Sequence, residues 1–154
     1  MSDSYELNTK LAYQDRDRAR RYRKQHQDGW SWARITMGRE LRNVSRALKE
    51  FEVGNRTILD MPCGTGVAGT CFQSGEAQVL AMDISREMML EAQGEYPAGF
   101  SGFVQADITR LPLPADFVAG VVVLGFMHRV PLEIKREALK ELYRVSSQFV
   151  VVSF

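Results

Sequence analysis

The stretch "ILDMPCGTGVAG", residues 58–69, decides how the rest of the chain is read. A short apolar run ends in an acid, turns through Pro-Cys-Gly-Thr-Gly and continues into small residues. That order spells a strand, a glycine loop and the start of a helix. Gly64, Gly66 and Gly69 match G-x-G-x-x-G letter for letter. Such a unit brings bare backbone close to a nucleotide ligand. The spacing alone does not say which ligand.

Downstream, the pattern alternates strand and helix. "AQVLAMD" (77–83) reads as a second strand ending in an acid, and "SREMMLEAQ" (85–93) as an amphipathic helix with Ser85 as its cap. "SGFVQAD" (101–107) is a third strand, again ending in an acid, and "FVAGVVVLGF" (117–126) a fully apolar fourth. "PLEIKREALKELYRV" (131–145) is a helix with Pro131 at its start, and "QFVVVSF" (148–154) a fifth strand. Val-rich strands separated by helices predict a parallel sheet covered on both faces. Met88 and Met89, at helical spacing, are core residues.

Upstream, residues 5–27 lack Gly and Pro and predict a helix, broken by Asp28-Gly29. Ser31 can cap a second helix reaching about Phe51, with Trp32, Ile35, Leu41, Val44 and Leu48 as its apolar stripe. The net charge of +1 conceals an asymmetry. Residues 1–50 hold 12 Lys/Arg against 7 Asp/Glu, a balance of +5, and residues 51–154 hold 8 against 12, a balance of −4. Six of the basic residues, Arg16, Arg18, Arg20, Arg21, Arg23 and Lys24, crowd "RDRARRYRK". With Asp15 and Asp17 among them they form either a solvated helix face or a basic lip that recruits an anionic acceptor.

Other classes are thinned by what the chain contains. No apolar run is long enough to span a membrane, and no signal-peptide core is present, so a soluble, cytoplasmic setting is expected, with no membrane partner. Cys63 and Cys71 are the only cysteines, too few for a disulfide framework, and no metal site is expected. The absence of an aromatic-interleaved RNA motif or zinc finger argues against nucleic acid as a partner.

Three successive strand ends carry acids: Asp60, Asp83 and Asp107. In an open α/β sheet the ligand lies outside those ends. Asp83 follows Gly64 by 19 positions, which suits a carboxylate accepting hydrogen bonds from a ribose diol. That serves NAD and S-adenosylmethionine equally. Asp60 separates them, since it would repel a pyrophosphate but can hold the ammonium of a methionyl group. Asp107 can accept from an adenine amino group, or simply cap the turn of "DITRLP".

Together these residues resemble a class I S-adenosylmethionine-dependent methyltransferase. "ILDMPCGTG" resembles the first motif of that family, "LAMDIS…M" the second, and "QADITRLPLPAD…GVVVLGFMHRV" the third and fourth. The resemblance covers residues 56–154 and implies a three-layer, Rossmann-like α/β sandwich with strand order 3-2-1-4-5. Residues 1–52 would form an N-terminal helical cap and residues 53–154 the S-adenosylmethionine-binding domain. By position it implies that Asp60, Gly64 and Gly66 hold the methionyl moiety, with Cys63 lining the loop. Asp83 would bind the ribose and Ile84 the adenine face. Asp107 would meet the adenine amino group, Ile108 would offer its amide, and Leu124 would approach the methionyl group. Tyr22 or Tyr13 would cover the cofactor from the N-terminal helix.

Three departures stand out. Pro62 occupies the position where the family's first glycine is commonest, and Phe117, Val118 and Ala119 replace a usual Ser-Phe-Asp. The chain also stops within the fifth strand, so the family's final β-hairpin is expected to be missing. That implies a fragment, a form completed by pairing of the fifth-strand edge in a homodimer, or a domain that binds without catalysing.

The implied reaction is methyl transfer to a small-molecule acceptor by in-line displacement, in which alignment supplies much of the acceleration. His128, just past the fourth strand, is the best placed general base for an O- or N-nucleophile, since His26 lies among charged helix residues. The Pro62-Cys63 pair is similar to the nucleophile of cytosine-C5 methyltransferases but lies in the cofactor loop. The ending "LGFMHRV" lacks the Asn/Asp-Pro-Pro-Tyr/Phe form used on exocyclic amines of bases. An NAD-binding oxidoreductase remains the other reading of the glycine loop.

Overall fold

The structure, a computed structural model, describes residues 32–73 and 77–153 together with Asp17, Arg20, Arg21 and Lys24. For residues 32–36 only the backbone is described. Tyr13, Tyr22, His26 and Ser31 lie outside the described residues. Asp17, Arg20, Arg21 and Lys24 are helical and exposed, in line with the helix expected there.

The described helices are α1 (Trp32–Lys49), α2 (Arg86–Glu91) and α3 (Leu132–Val145). The strands are β1 (Thr57–Asp60), β2 (Gln78–Asp83), β3 (Phe100–Gln105), β4 (Val118–Val123) and β5 (Ser146–Val152). All strand pairs are parallel, in the order β3-β2-β1-β4-β5. The chain therefore runs outward from β1 to β3, then crosses back to β4 on the other side. The switch in strand order falls between β1 and β4, where the glycine loop leaves the sheet.

The two faces follow from the two-residue period of the strands. Leu59, Met82, Val121 and Val123 share one core with Ala138, Leu142 and Val145 of α3. Ile58, Val79, Val122 and Phe149 share the other with Val44 of α1 and with Ala68, Cys71 and Phe72. Gly120 is glycine because the Phe149 ring lies where its Cβ would be.

Local chemistry sets the element ends. The Ser85 hydroxyl accepts from Met88 N–H at 3.1 Å, the N-cap expected for α2. Pro131 takes the N-cap position of α3 in an extended conformation. The small-residue run after the glycine loop forms a 3-10 helix, Val67–Phe72. The loop before β4 is fastened from α3. Leu111 N–H donates to Glu141 Oε2 at 2.8 Å, and Arg144 donates to the carbonyls of Leu113 at 2.7 Å and Leu111 at 3.1 Å. Arg144 also donates to both Glu141 carboxylate oxygens, which holds that carboxyl below its ordinary range.

Candidate functional site

The residues at the carboxyl ends of β1 and β2 form one buried cluster. Asp60, the last residue of β1, is 1% exposed. Its Oδ2 accepts from the Tyr96 hydroxyl at 2.6 Å, while its Oδ1 is buried with no hydrogen-bond partner. Burial raises its pKa from 3.8 to about 7; the Tyr96 hydrogen bond opposes the rise and the Asp83 charge adds to it. A buried acceptor left unpaired is costly, and native structures keep few of them.

Asp83 ends β2 and fastens the glycine loop to it. Its Oδ2 accepts from Gly64 N–H at 2.8 Å and its Oδ1 from Ser85 N–H at 2.8 Å. Burial raises its pKa, against these backbone donors. The loop is held on both flanks, since Cys63 N–H donates to Met82 O at 2.8 Å and Met61 N–H to Val122 O at 3.0 Å. The Met61–Pro62 peptide is cis. Burial, with the charges of Asp60 and Asp83, pushes the Cys63 thiol well up. A buried thiol raised in this way packs against the loop rather than presenting a thiolate.

The three glycines of the motif do three different things. Gly64 has φ +53°, and a Cβ there would meet nothing within 4 Å, so the space beside it is open. Gly66 has φ +80°, and a Cβ would stand 2.9 Å from the Glu95 Cβ. At Gly69 a Cβ would collide with the Glu95 carbonyl oxygen. The third glycine thus serves close packing against the segment before β3, and the first borders free space.

The remaining expected residues are placed more loosely. Asp107 follows β3 and caps its own turn, its Oδ1 accepting from Thr109 N–H at 3.0 Å and the Thr109 hydroxyl at 2.8 Å. The side chain of Ile108 is buried in the α3-side core, and that of Leu124 packs at the edge of the other. Ile84 is half-buried, its carbonyl accepting from the Gln105 amide at 2.9 Å. His128 is exposed in the 3-10 turn Met127–Arg129, with Nε2 accepting from Arg129 Nε at 3.2 Å. Arg20 stands 3.6 Å from Glu91, the last residue of α2.

Tyr96 escaped the sequence reading. It lies in the turn between α2 and β3, 36 residues from Asp60, in a stretch with no motif. Its ring stacks on Phe100 at 4.7 Å and meets Phe103 edge-on at 5.7 Å, with Phe72 at 6.5 Å. The only hint was aromatic crowding around "EYPAGFSGF".

Residues 58–148 match the profile of a family described as "Methyltransferase domain". Among curated relatives, the demethylmenaquinone methyltransferase of Chlamydia trachomatis is 30% identical over 91 residues, 57% of this chain and 38% of the relative. The malonyl-[acyl-carrier protein] O-methyltransferase of Enterobacter lignolyticus is 29% identical over 100 residues, 63% of this chain and 37% of the relative. The chain thus spans less than two-fifths of these relatives' length. Among solved structures, magnesium protoporphyrin IX methyltransferase from Synechocystis PCC 6803, with bound S-adenosylmethionine, superposes with TM-score 0.68 at 21% identity. That match covers 98% of this chain and 73% of the other. A TehB-like methyltransferase from Corynebacterium glutamicum gives TM-score 0.60 at 22% identity, covering 72% of this chain and 61% of the other. These likenesses establish the fold.

Proposed function

The chain belongs to the methyltransferase-domain family, and from that premise we propose that it binds S-adenosylmethionine at the carboxyl ends of β1, β2 and β3 and methylates a small anionic acceptor. One observation carries the reading: a buried carboxylate oxygen, Asp60 Oδ1, without a partner, beside a glycine loop with open space at Gly64. The two nearby carboxylates suit a ligand that brings an ammonium and hydroxyls, and oppose one that brings a pyrophosphate.

S-adenosylmethionine supplies an electrophilic methyl group on a sulfonium, whose displacement leaves a neutral thioether. The chain's own residues bind and orient. Asp60 Oδ1 accepts from the ammonium of the methionyl group, the backbone at Gly64 gives it room, and Gly66 turns the loop at positive φ so that it holds that moiety. Asp83 already accepts two backbone N–H groups, and its remaining lone pairs serve the ribose diol. Ile84 covers the adenine, with Asp107 and the Ile108 amide at its polar edge and Leu124 at the methionyl side.

The acceptor class rests on the chain's own charge. Arg20, Arg21 and Lys24 are exposed on a helix whose Arg20 reaches Glu91. The relatives' names span a demethylmenaquinone, an acyl-carrier-bound malonyl group and a magnesium porphyrin, so they single out no acceptor. His128 takes the proton when the nucleophile carries one, after turning away from Arg129. The experiment is transfer of labelled methyl from S-adenosylmethionine to a panel of carboxylate- and phosphate-bearing acceptors. Label in an acceptor supports the reading; tight cofactor binding without transfer to any acceptor would leave a binding module instead.

A further inference from the structure

Asp60 has two oxygens in different situations, and Tyr96 makes the difference. Resting on the reading of this site as an S-adenosylmethionine site, we propose that Tyr96 is a positioning residue for cofactor recognition: its hydroxyl holds Asp60 Oδ2 so that Oδ1 faces the ligand's ammonium as an ionised acceptor.

The geometry that supports this is specific. The hydroxyl donates to Oδ2 at 2.6 Å, the short range of a charge-assisted hydrogen bond. The ring cannot easily swing away. It is stacked on Phe100 at 14° between planes, edge-on to Phe103, and flanked by Phe72 of the 3-10 helix. Three aromatic neighbours from two elements therefore fix where the phenol oxygen sits. A carboxylate gripped through one oxygen loses its rotational freedom, and the other oxygen is left unpaired, as observed for Oδ1. In an otherwise apolar stack, that unpaired acceptor has no purpose until a donor arrives.

The groups that act on Asp60 are Tyr96 and Asp83, and both Asp60 and Asp83 act on the thiol of Cys63. Burial and Asp83 favour the neutral acid, and only the Tyr96 hydrogen bond favours the carboxylate. The carboxylate is the form that pairs with an ammonium, so affinity should climb as pH rises through about 7. Removing the hydroxyl should move that climb to higher pH. The hydroxyl itself stays protonated, because burial and the adjoining Asp60 raise its pKa far above the ordinary range.

The test compares Tyr96→Phe with the wild-type chain by calorimetry between about pH 5.5 and 8.5. Two probes are used: S-adenosylhomocysteine, and 5′-methylthioadenosine, a related thioether nucleoside that lacks the amino-acid group. Y96F keeps the stacked ring and removes only the hydrogen bond. S-adenosylhomocysteine should bind about tenfold more weakly at pH 7, with its pH profile displaced upward, while 5′-methylthioadenosine changes by about twofold or less. In an Asp60→Asn background the Y96F effect should vanish. Equal weakening of both probes would show a packing role and overturn the proposal, as would no change in either. Should Y96F not fold, wild type decides: the affinity ratio of the two probes must rise with pH, and a flat ratio overturns it. If wild type binds neither probe, the S-adenosylmethionine reading itself fails, and the role of Tyr96 with it.

Discussion

Replacing Asp60 by Asn should make the ligand-free protein progressively more stable than wild type as pH rises. Burial raises the folded-state pKa of Asp60 from 3.8 to about 7. A raised acid contributes stability in its protonated form; that contribution is complete below the unfolded value and is lost as pH climbs toward the folded one. The shift from 3.8 to about 7 corresponds to about 4 kcal/mol at about 1.4 kcal/mol per pH unit. Of this, about 2–3 kcal/mol falls between pH 5 and pH 8. Asn keeps the shape of the side chain and an oxygen for Tyr96, and its unpaired amide imposes an offset that does not vary with pH. The difference in stability between D60N and wild type should therefore grow in favour of the mutant by about 2–3 kcal/mol from pH 5 to pH 8. In a chain of 154 residues that is on the order of 5–10 °C in melting temperature. Denaturant and thermal unfolding of both proteins at several pH values, without ligand, provide the assay. A difference that stays flat with pH would refute the claim that burial raises the Asp60 carboxyl, whatever its ligand.

The glycines separate space from packing. Gly64→Ala should cost about 1 kcal/mol for its positive φ yet abolish S-adenosylhomocysteine binding, because its Cβ enters the open space beside the loop. Gly69→Ala should lower stability by about 1–3 kcal/mol through its collision with the Glu95 carbonyl, read as a fall in the urea midpoint. His128→Ala should leave S-adenosylhomocysteine affinity unchanged and lower kcat by roughly a hundredfold if the acceptor gives up a proton; an unchanged kcat in steady-state assays would leave alignment alone as the catalytic device. Substituting Arg20, Arg21 and Arg23 together by Ala should raise the acceptor KM several-fold with cofactor affinity intact, and an unchanged KM would reject the basic lip.

Much of the sheet was legible because β1, β2 and β4 are mostly buried and β1 and β2 end in acids. Every residue of β4 is buried, so its unbroken Val-rich run could be read directly. Ser85 and Pro131 marked helix starts through local chemistry, which sequence records well. What escaped is what distant segments decide. The 3-10 conformation after the glycine loop was not predicted, since Ala-Gly-Thr-Cys suits either helix. Gly69 looked like part of a nucleotide motif, but the carbonyl that excludes its Cβ belongs to Glu95. Asp107 had two readings, and its observed hydrogen bonds are those of the turn. Arg144 and Glu141 secure the loop before β4 from about thirty residues away, a contact no periodicity announces. Tyr96 is the clearest case, because its role comes from aromatic stacking that fixes one oxygen beside one carboxylate.

Calorimetric titration of the 154-residue chain with S-adenosylhomocysteine and, separately, with NAD tests the central claim most directly. The account predicts S-adenosylhomocysteine binding with a Kd of about a micromolar or below, weakened on the order of tenfold or more in D60N, and no measurable binding of NAD. Binding of NAD at comparable strength with none of S-adenosylhomocysteine would contradict it.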